Sequence, residues 1–180
     1  MGGSLRPPFV RRPPPGPCPV VFRPVMERDD FAELLSRVTS KIAGRPMDAS
    51  LAAFLEAEVP AGGPLFGEIR DACHAAVEAG WMCKHEAGGI RFGRVLRPGP
   101  ELAGFSVDVV HMDDVVGPHH VHPRGEVDMV MPIDAAATFD GHGAGWVVYE
   151  PGSAHRPTVQ GGVALVLYLL PEGAIEFTEE

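Results

Sequence analysis

The feature that most constrains the fold of this chain is a histidine-rich run that ends in a turn, residues 117–126 (GPHHVHPRGE). Side chains two positions apart in a strand point to the same face, so His120 and His122 converge on one point. Pro123 to Gly125 is favourable turn chemistry, because proline fixes φ and glycine accepts positive φ, and the turn returns Glu126 to that point. Two imidazoles and a carboxylate in this arrangement are typical of an iron, zinc or manganese site. The spacing therefore predicts one divalent metal ion, either Fe, Mn or Zn.

A second segment contributes a fourth candidate ligand. Residues 145–150 have the pattern of a strand, Pro151 and Gly152 predict a turn, and His155 begins the next strand. Together, His-x-His-x3-Glu and the later Pro-Gly-x-x-His segment resemble the two motifs of the cupin superfamily, which are double-sheet β-barrels that usually hold one metal ion. The resemblance implies that the ligands are three histidines and one glutamate: His120, His122, Glu126 and His155.

Composition excludes several other classes of protein. With 24 acidic and 15 basic side chains the net charge is -9, which argues against nucleic acid or an anionic membrane as the partner. The three cysteines include no CxxC pair and are odd in number, so they favour a reducing, cytoplasmic compartment over a disulfide framework. No apolar run approaches the roughly 20 residues of a membrane span. A small molecule is the expected partner.

The chain divides into three parts by its pattern. Residues 1–26 are rich in proline and predict a disordered tail, with a proline-rich docking ligand as the alternative. Residues 27–80 show helical spacing and predict about three short amphipathic helices that pack on the outside of a barrel or form a dimer contact. Residues 81–180 predict short strands of a sandwich or barrel. The predicted fold class is therefore mainly β, a cupin-type double-sheet β-barrel or jelly roll with an N-terminal helical segment.

Start and stop signals set the expected bounds of the helices. The first is expected to be capped by Asp29 or Asp30, and the second by Asp48 or Ser50. The third is expected over residues 64–79, because proline is favoured in the first turn and Gly80 follows as a stop signal.

Strand alternation identifies one further candidate, Asp128. It lies two positions after Glu126, so both side chains are predicted to point into the barrel. Burying a carboxylate inside the barrel costs free energy unless it has a hydrogen-bonding or charged partner, so such a residue is expected to have a role there. Two roles remain open for Asp128, which are orientation of a metal-bound histidine and service as a catalytic acid or base.

Within the cupins, residues 81–177 resemble the bacterial 4-hydroxylaminobenzoate lyases. The residues that carry the resemblance are 88–95 (GGIRFGRV), 105–110 (FSVDVV), 117–120 (GPHH), 128–132 (DMVMP), 143–149 (GAGWVVY) and 155–158 (HRPT). The resemblance implies a metal-dependent lyase that converts 4-hydroxylaminobenzoate to 3,4-dihydroxybenzoate with release of ammonia. A small aromatic acid is then the partner, and a homo-oligomer, specifically a homodimer, is expected.

This reaction needs groups that move protons and groups that hold the substrate. Glu126 and Asp128 are the candidates for catalysis, and an arginine matches the geometry of the substrate carboxylate. The candidates for substrate binding are Arg91, Arg94, Arg156 and the aromatic Tyr149. Two alternatives stay open: another metal cupin enzyme that acts on a small aromatic acid, as a dioxygenase or isomerase, or a non-catalytic barrel that binds a small acid.

Overall fold

The computed structural model describes residues 26–179, so the proline-rich stretch 1–25 lies outside the described residues. Three helices come first: α1 (Arg28–Ile42), α2 (Ala49–Glu58) and α3 (Pro64–Glu78). The strands that follow are β1 (His85–Ala87), β2 (Ile90–Leu96), β3 (Phe105–Asp113), β4 (His120–His122), β5 (Glu126–Pro132), β6 (Thr138–Phe139), β7 (Gly145–Tyr149), β8 (Ser153–His155), β9 (Val159–Gln160), β10 (Val163–Pro171) and β11 (Glu176–Phe177).

The helix caps agree with the sequence in one case and differ in another. Asp48 caps α2 as predicted, because its carboxylate accepts hydrogen bonds from the backbone N–H groups of Ser50 and Leu51. The predicted cap of α1 is wrong: Asp29 and Asp30 lie inside its first turn, and Glu27 is the N-cap without a side-chain hydrogen bond. The two aspartates instead lie beside the partial positive charge of the helix N terminus.

The strands form three sheets. The largest has the order β1-β2-β3-β10-β5-β7, a second has the order β11-β4-β8, and β6 pairs with β9. All the paired strands are antiparallel. Within the described residues, the sheets are not joined by hydrogen bonds into one closed ring. The large sheet forms one layer and the two smaller sheets form the other, which is the arrangement of a double-sheet jelly roll. The predicted fold class, a mainly β cupin-type fold with three helices, is confirmed.

Both faces of the large sheet are buried, each in its own apolar cluster. On the outer face, Val127 and Met129 of β5 pack in one cluster with the buried residues of the three helices. On the inner face, Val130 packs in a second cluster with Phe139 and Val159, which come from the opposing two-stranded sheet. Burial on both faces explains why β10 is almost continuously apolar, while β5 combines apolar residues with the two inward-facing carboxylates Glu126 and Asp128.

Trp146 of β7 links the helices to the large sheet by hydrogen bonds and ring packing. Its indole Nε1–H donates to the carbonyl of Val59 at 2.7 Å, and its backbone N–H donates to Glu56 Oε1, also at 2.7 Å. Its ring also meets Phe66 of α3 edge to face, with the ring centroids 6.0 Å apart. Trp146 is therefore a packing residue. None of the helices in the described part of the chain has both the length and the apolar character needed to cross a membrane.

Candidate metal centre and adjoining cavity

Three strands bring the four candidate ligands together. His120 and His122 lie on β4, Glu126 begins β5, and His155 ends β8, where it pairs with His120 in register. One ligand atom from each of the four side chains lies within 4.8 Å of the other three. His120 Nε2 is 3.1 Å from His155 Nε2, and His122 Nδ1 is 3.3 Å from Glu126 Oε2. The structure thus gathers the side chains that the two sequence motifs predicted.

Two glycine turns position these ligands, and both are tied to the same carbonyl. The backbone N–H of Gly125 donates to the His122 carbonyl at 3.2 Å, and that of Gly152 donates to the same oxygen at 2.8 Å. Both glycines have positive φ, +84° and +80°, which suits a residue without Cβ. The first turn delivers Glu126 and the second leads into His155.

Hydrogen bonds to the far side of two imidazoles show which nitrogens face inward. His120 Nδ1 lies 3.2 Å from the Pro118 carbonyl, and His155 Nδ1 lies 2.5 Å from Asp140 Oδ2. Both partners only accept, so in each ring Nδ1 carries the proton and Nε2 has a lone pair. Two lone pairs then face each other at 3.1 Å, an arrangement that a cation between them would stabilise.

The burial of the cluster also fits a bound metal. His122 and Glu126 are 0% exposed, and both ring nitrogens of His122 and both carboxylate oxygens of Glu126 make no hydrogen bond. The 3.3 Å contact between these residues therefore lacks hydrogen-bond geometry. Buried polar atoms without partners are costly, and metal coordination would satisfy them. Burial lowers the pKa of His120 to about 4 despite the opposing effect of Glu126, and the neighbouring imidazoles act in the same direction as burial, so this ring is neutral at pH 7, as ligation requires.

Asp140 is a residue of this centre that the sequence reasoning missed. It lies in the turn after β6, and its Oδ2 is close to both His155 Nδ1 and the Tyr149 hydroxyl, which donates at 2.6 Å. Its Oδ1 accepts the backbone N–H of Thr158 at 2.7 Å. Burial opposes ionisation of Asp140, yet the hydrogen bonds it accepts hold its pKa below the usual value. A carboxylate in a turn has no spacing that links it to a histidine 15 positions later, so the sequence carried no signal for this contact.

Asp128 lies where strand parity placed it, on the inner face beside Glu126. It is 0% exposed, and no donor of the described residues bonds to its carboxylate oxygens, but it lies within hydrogen-bonding reach of Glu126, with which it can share a proton. Burial first, and the neighbouring Glu126 second, raise the pKa of Asp128 well above its usual value. The environment therefore favours the protonated acid.

Beside His120 opens a cavity of about 550 Å³. Its lining is mostly apolar and includes strands of both sheets: Ala87, Ile90, Phe92, Gly93, Arg94, Asp108, Val110, Met112, Pro118, His120, Pro157, Tyr168, Ile175 and Phe177. Phe177 is 65% exposed, and its ring centroid is 5.7 Å from that of His120. The cavity therefore connects the surface of the protein with one edge of the candidate metal centre.

The four predicted substrate-binding residues are placed differently. Arg94 lines the cavity and makes a bidentate ion pair with Asp108. Its Nε donates to Oδ1 and its Nη2 donates to Oδ2, each at 2.9 Å. Arg91 and the exposed Arg156 are not among the lining residues. Tyr149 lies at the metal centre itself, where its ring stacks on His122 with a centroid separation of 5.1 Å. The structure thus brings Arg94 to the cavity and Tyr149 to the cluster, and it places Arg91 and Arg156 outside both.

The jelly roll and the cluster of three histidines and one glutamate define a cupin with a candidate metal centre. The model of the 4-hydroxylaminobenzoate lyase (PnbB) family matches residues 33–177, and the chain belongs to this family.

Individual relatives agree with this assignment. A 4-hydroxylaminobenzoate lyase of Nocardioides sp. (strain LMS-CY) is 31% identical over 83% of this chain and 91% of its own length. Another, from Pseudomonas putida, is 29% identical over 84% of this chain and 96% of its own length. Among solved structures, an RmlC-like cupin protein from Ralstonia eutropha JMP134 is similar over 52% of this chain and 62% of that one, with 10% identity and a TM-score of 0.38. That structural score is low, and the fold assignment rests on the sheet topology.

Proposed function

We propose that this protein is a metal-dependent lyase that converts 4-hydroxylaminobenzoate to 3,4-dihydroxybenzoate and ammonia. The observation that supports this most is that His120 belongs to both sites: it is one of the four candidate metal ligands, and it also lines the apolar cavity. A cavity of about 550 Å³ has room for a single benzoate ring and its substituents. Membership of the lyase family supplies the reaction class.

The reaction balances with uptake of one water molecule. The N–O bond breaks and its oxygen leaves as water, which requires one added proton. One water then adds to the ring carbon beside the nitrogen-bearing carbon, and a second replaces the nitrogen, which leaves as ammonia. The ring is oxidised and the nitrogen is reduced, so no external oxidant or reductant is consumed.

The chain supplies a site for a metal and groups for proton transfer. A divalent ion held by His120, His122, Glu126 and His155 would supply Lewis acidity beside the reacting ring. Asp128 and Glu126 share the inner face of β5, and we propose that the one that does not hold the metal, Asp128 in this arrangement, donates and accepts the protons. Their burial keeps bulk water away from these transfers.

Arg94 is the arginine that we propose for the substrate carboxylate. Its bidentate ion pair with Asp108 uses Nε and Nη2, and Nη2 also donates to the Gly173 carbonyl at 3.2 Å. Within the described residues, Nη1 takes part in none of these bonds, so it is the guanidinium nitrogen that we assign to the substrate. Arg91 and Arg156 would reach a ligand in this cavity only from outside its lining.

Metal analysis and an activity assay test the proposal together. Protein purified without added metal is expected to contain one equivalent of metal and to form 3,4-dihydroxybenzoate and ammonia in equal amounts, without oxygen uptake. His155→Ala removes a ligand and is expected to lose both metal and activity. His74→Ala, on α3, is the matched control and is expected to keep both.

Each alternative function has its own outcome in this assay. Oxygen consumption without ammonia release would indicate a dioxygenase, and metal-independent ligand binding without turnover would indicate a binding barrel. Full metal content and activity in His155→Ala would contradict the ligand assignment. Phenylhydroxylamine, which lacks the carboxylate, should be turned over with a raised KM if Arg94 anchors that group.

A further inference from the structure

One polar group in the cavity has no role in the site described so far. Four of the fourteen lining residues have polar side chains: Arg94, Asp108, His120 and Tyr168. The first two form an ion pair, and His120 belongs to the candidate metal cluster. Within the described residues, no hydrogen bond involves the Tyr168 hydroxyl. This phenol is therefore available to a ligand in the cavity.

The sheet register places Tyr168 between the cavity and the metal centre. On β10 it pairs with Asp108 of β3 on one side and with Asp128 of β5 on the other. Directly paired residues of antiparallel strands have Cβ atoms roughly 5 Å apart, so Tyr168 is the neighbour of Asp128 on the inner face. Asp128 itself is fully buried and does not line the cavity. Tyr168 thus lies next to that carboxyl group and also reaches the cavity.

The surroundings of Tyr168 fix its ring and keep its proton. The residue is 5% exposed and packs in the inner apolar cluster, with its ring centroid 6.1 Å from that of Phe139. Burial, and next the electrostatic effect of the neighbouring Asp128, raise the pKa of Tyr168 well above its usual value. The side chain is thus a neutral O–H donor in a fixed orientation.

The distance across the sheet suits a para-substituted benzoate. Arg94 pairs with Asp108, which pairs with Tyr168, so Arg94 and Tyr168 are two strand spacings apart, roughly 10 Å. A benzoate with a substituent at position 4 has its two polar groups at opposite ends of the ring. With the carboxylate at Arg94, the 4-substituent points towards Tyr168.

We propose that Tyr168 is a further catalytic residue of this site, whose hydroxyl donates a hydrogen bond to the hydroxylamino oxygen of the substrate. This inference rests on the proposed function. As the N–O bond breaks, its electron pair goes to the departing oxygen, and a fixed donor stabilises the charge that develops there. The oxygen then leaves as water with a proton from Asp128, which lies beside Tyr168 and reaches the substrate through the Tyr168 hydroxyl.

The phenylalanine variant tests this role, because Tyr168→Phe removes only the hydroxyl. We expect kcat to fall about 100-fold, the usual loss when one preorganised donor is removed, with KM, metal content and melting temperature close to wild type. Thr39→Val is the matched control: it removes another buried hydroxyl without a hydrogen bond, in α1, and should leave kcat unchanged. A kcat within twofold of wild type in Tyr168→Phe would overturn the inference.

A binding experiment gives a result that does not depend on turnover. The Kd values of 4-hydroxybenzoate and 4-methylbenzoate are measured with metal-loaded wild type and with Tyr168→Phe. We expect wild type to bind 4-hydroxybenzoate more tightly than 4-methylbenzoate. In the variant the ratio of the two Kd values should fall about tenfold, which corresponds to the loss of one hydrogen bond. An unchanged preference contradicts the contact with Tyr168. Absence of dihydroxybenzoate from wild type contradicts only the proposed lyase reaction, so the two failures are distinguishable.

Discussion

Individual side chains of the candidate metal centre are held by partners outside the four candidate ligands. Asp140 accepts from His155 Nδ1, Tyr149 and the backbone of Thr158, so one carboxylate sets the tautomer of a ligand and the position of the ring that stacks on His122. Partners of this kind orient metal ligands and raise their basicity. Asp140 is therefore as much a part of the candidate centre as the four ligands.

Replacing this carboxylate tests its positioning role. In Asp140→Asn the amide cannot accept from all three donors at once, and its NH2 group opposes the His155 N–H. We expect metal affinity to fall about 10- to 100-fold, measured by competition with a chelator, while the melting temperature changes little. Asp134→Asn is the control, because Asp134 accepts a backbone N–H from Val163 at 2.8 Å in a turn away from the cluster. Equal metal affinity in the two variants would show that Asp140 does not position His155.

At the scale of elements, the two turns beside β4 have the same backbone conformation but different surroundings. A Cβ at Gly125 would lie 2.8 Å from the Tyr149 carbonyl oxygen and 2.9 Å from Met47 Cβ, whereas nothing lies within 4 Å of a Cβ at Gly152. The turn before Glu126 is thus closely packed, and the turn before His155 is open. The entry of β5 into the sheet depends on the first of them.

Alanine at each glycine separates backbone strain from this packing. Gly152→Ala should lower the free energy of unfolding by about 1 kcal/mol, the cost of a left-handed conformation, and should keep its metal. Gly125→Ala should lose about 1–3 kcal/mol more because of the close contacts, and should lose metal as Glu126 is displaced. Urea unfolding and metal analysis of the two proteins measure both effects. Equal losses of stability would show that the packing around Gly125 relaxes without cost.

On the scale of the whole molecule, the helices cover one face of the large sheet. The outer cluster joins buried residues of all three helices to β3, β5 and β10, so the helical segment and the sheet share one core. Removing the helices would expose a large apolar surface, and surfaces of that kind promote aggregation. Assembly as a homodimer and a cytoplasmic location stay predictions from the sequence.

Two truncations test this dependence. Residues 81–180 alone are expected to aggregate or remain unfolded, because the outer face of the sheet would meet water. Deletion of residues 1–24, whose composition predicts a disordered tail, is expected to leave melting temperature and activity close to those of the full chain. A soluble, cooperatively folded 81–180 fragment would contradict the shared core, and a large fall in melting temperature after the short deletion would show that the first 24 residues stabilise the fold.

Much of this architecture was readable from local patterns. Helical spacing predicted three helices, and an apolar run between turn signals predicted β10, because neighbouring residues decide which faces an element buries. Strand parity and a glycine turn likewise predicted that His120, His122 and Glu126 converge, since each step of that argument spans only a few residues, and the resemblance to the cupin motifs added His155. The first helix cap was wrong because Glu27 and the two aspartates after it offer similar local chemistry.

Tertiary structure alone decided which strands are neighbours, and with that the rest of the site. The placement of β10 between β3 and β5 puts Tyr168 between Asp108 and Asp128, and the pairing of β6 with β9 brings Asp140 to His155. These strand pairings join residues that lie 20 to 66 positions apart, through hydrogen bonds between backbone groups that every residue possesses. Backbone pairing has no residue-specific signal, so local pattern cannot reveal it. The ligands of the candidate metal could therefore be predicted from the sequence, and the groups that surround them could not.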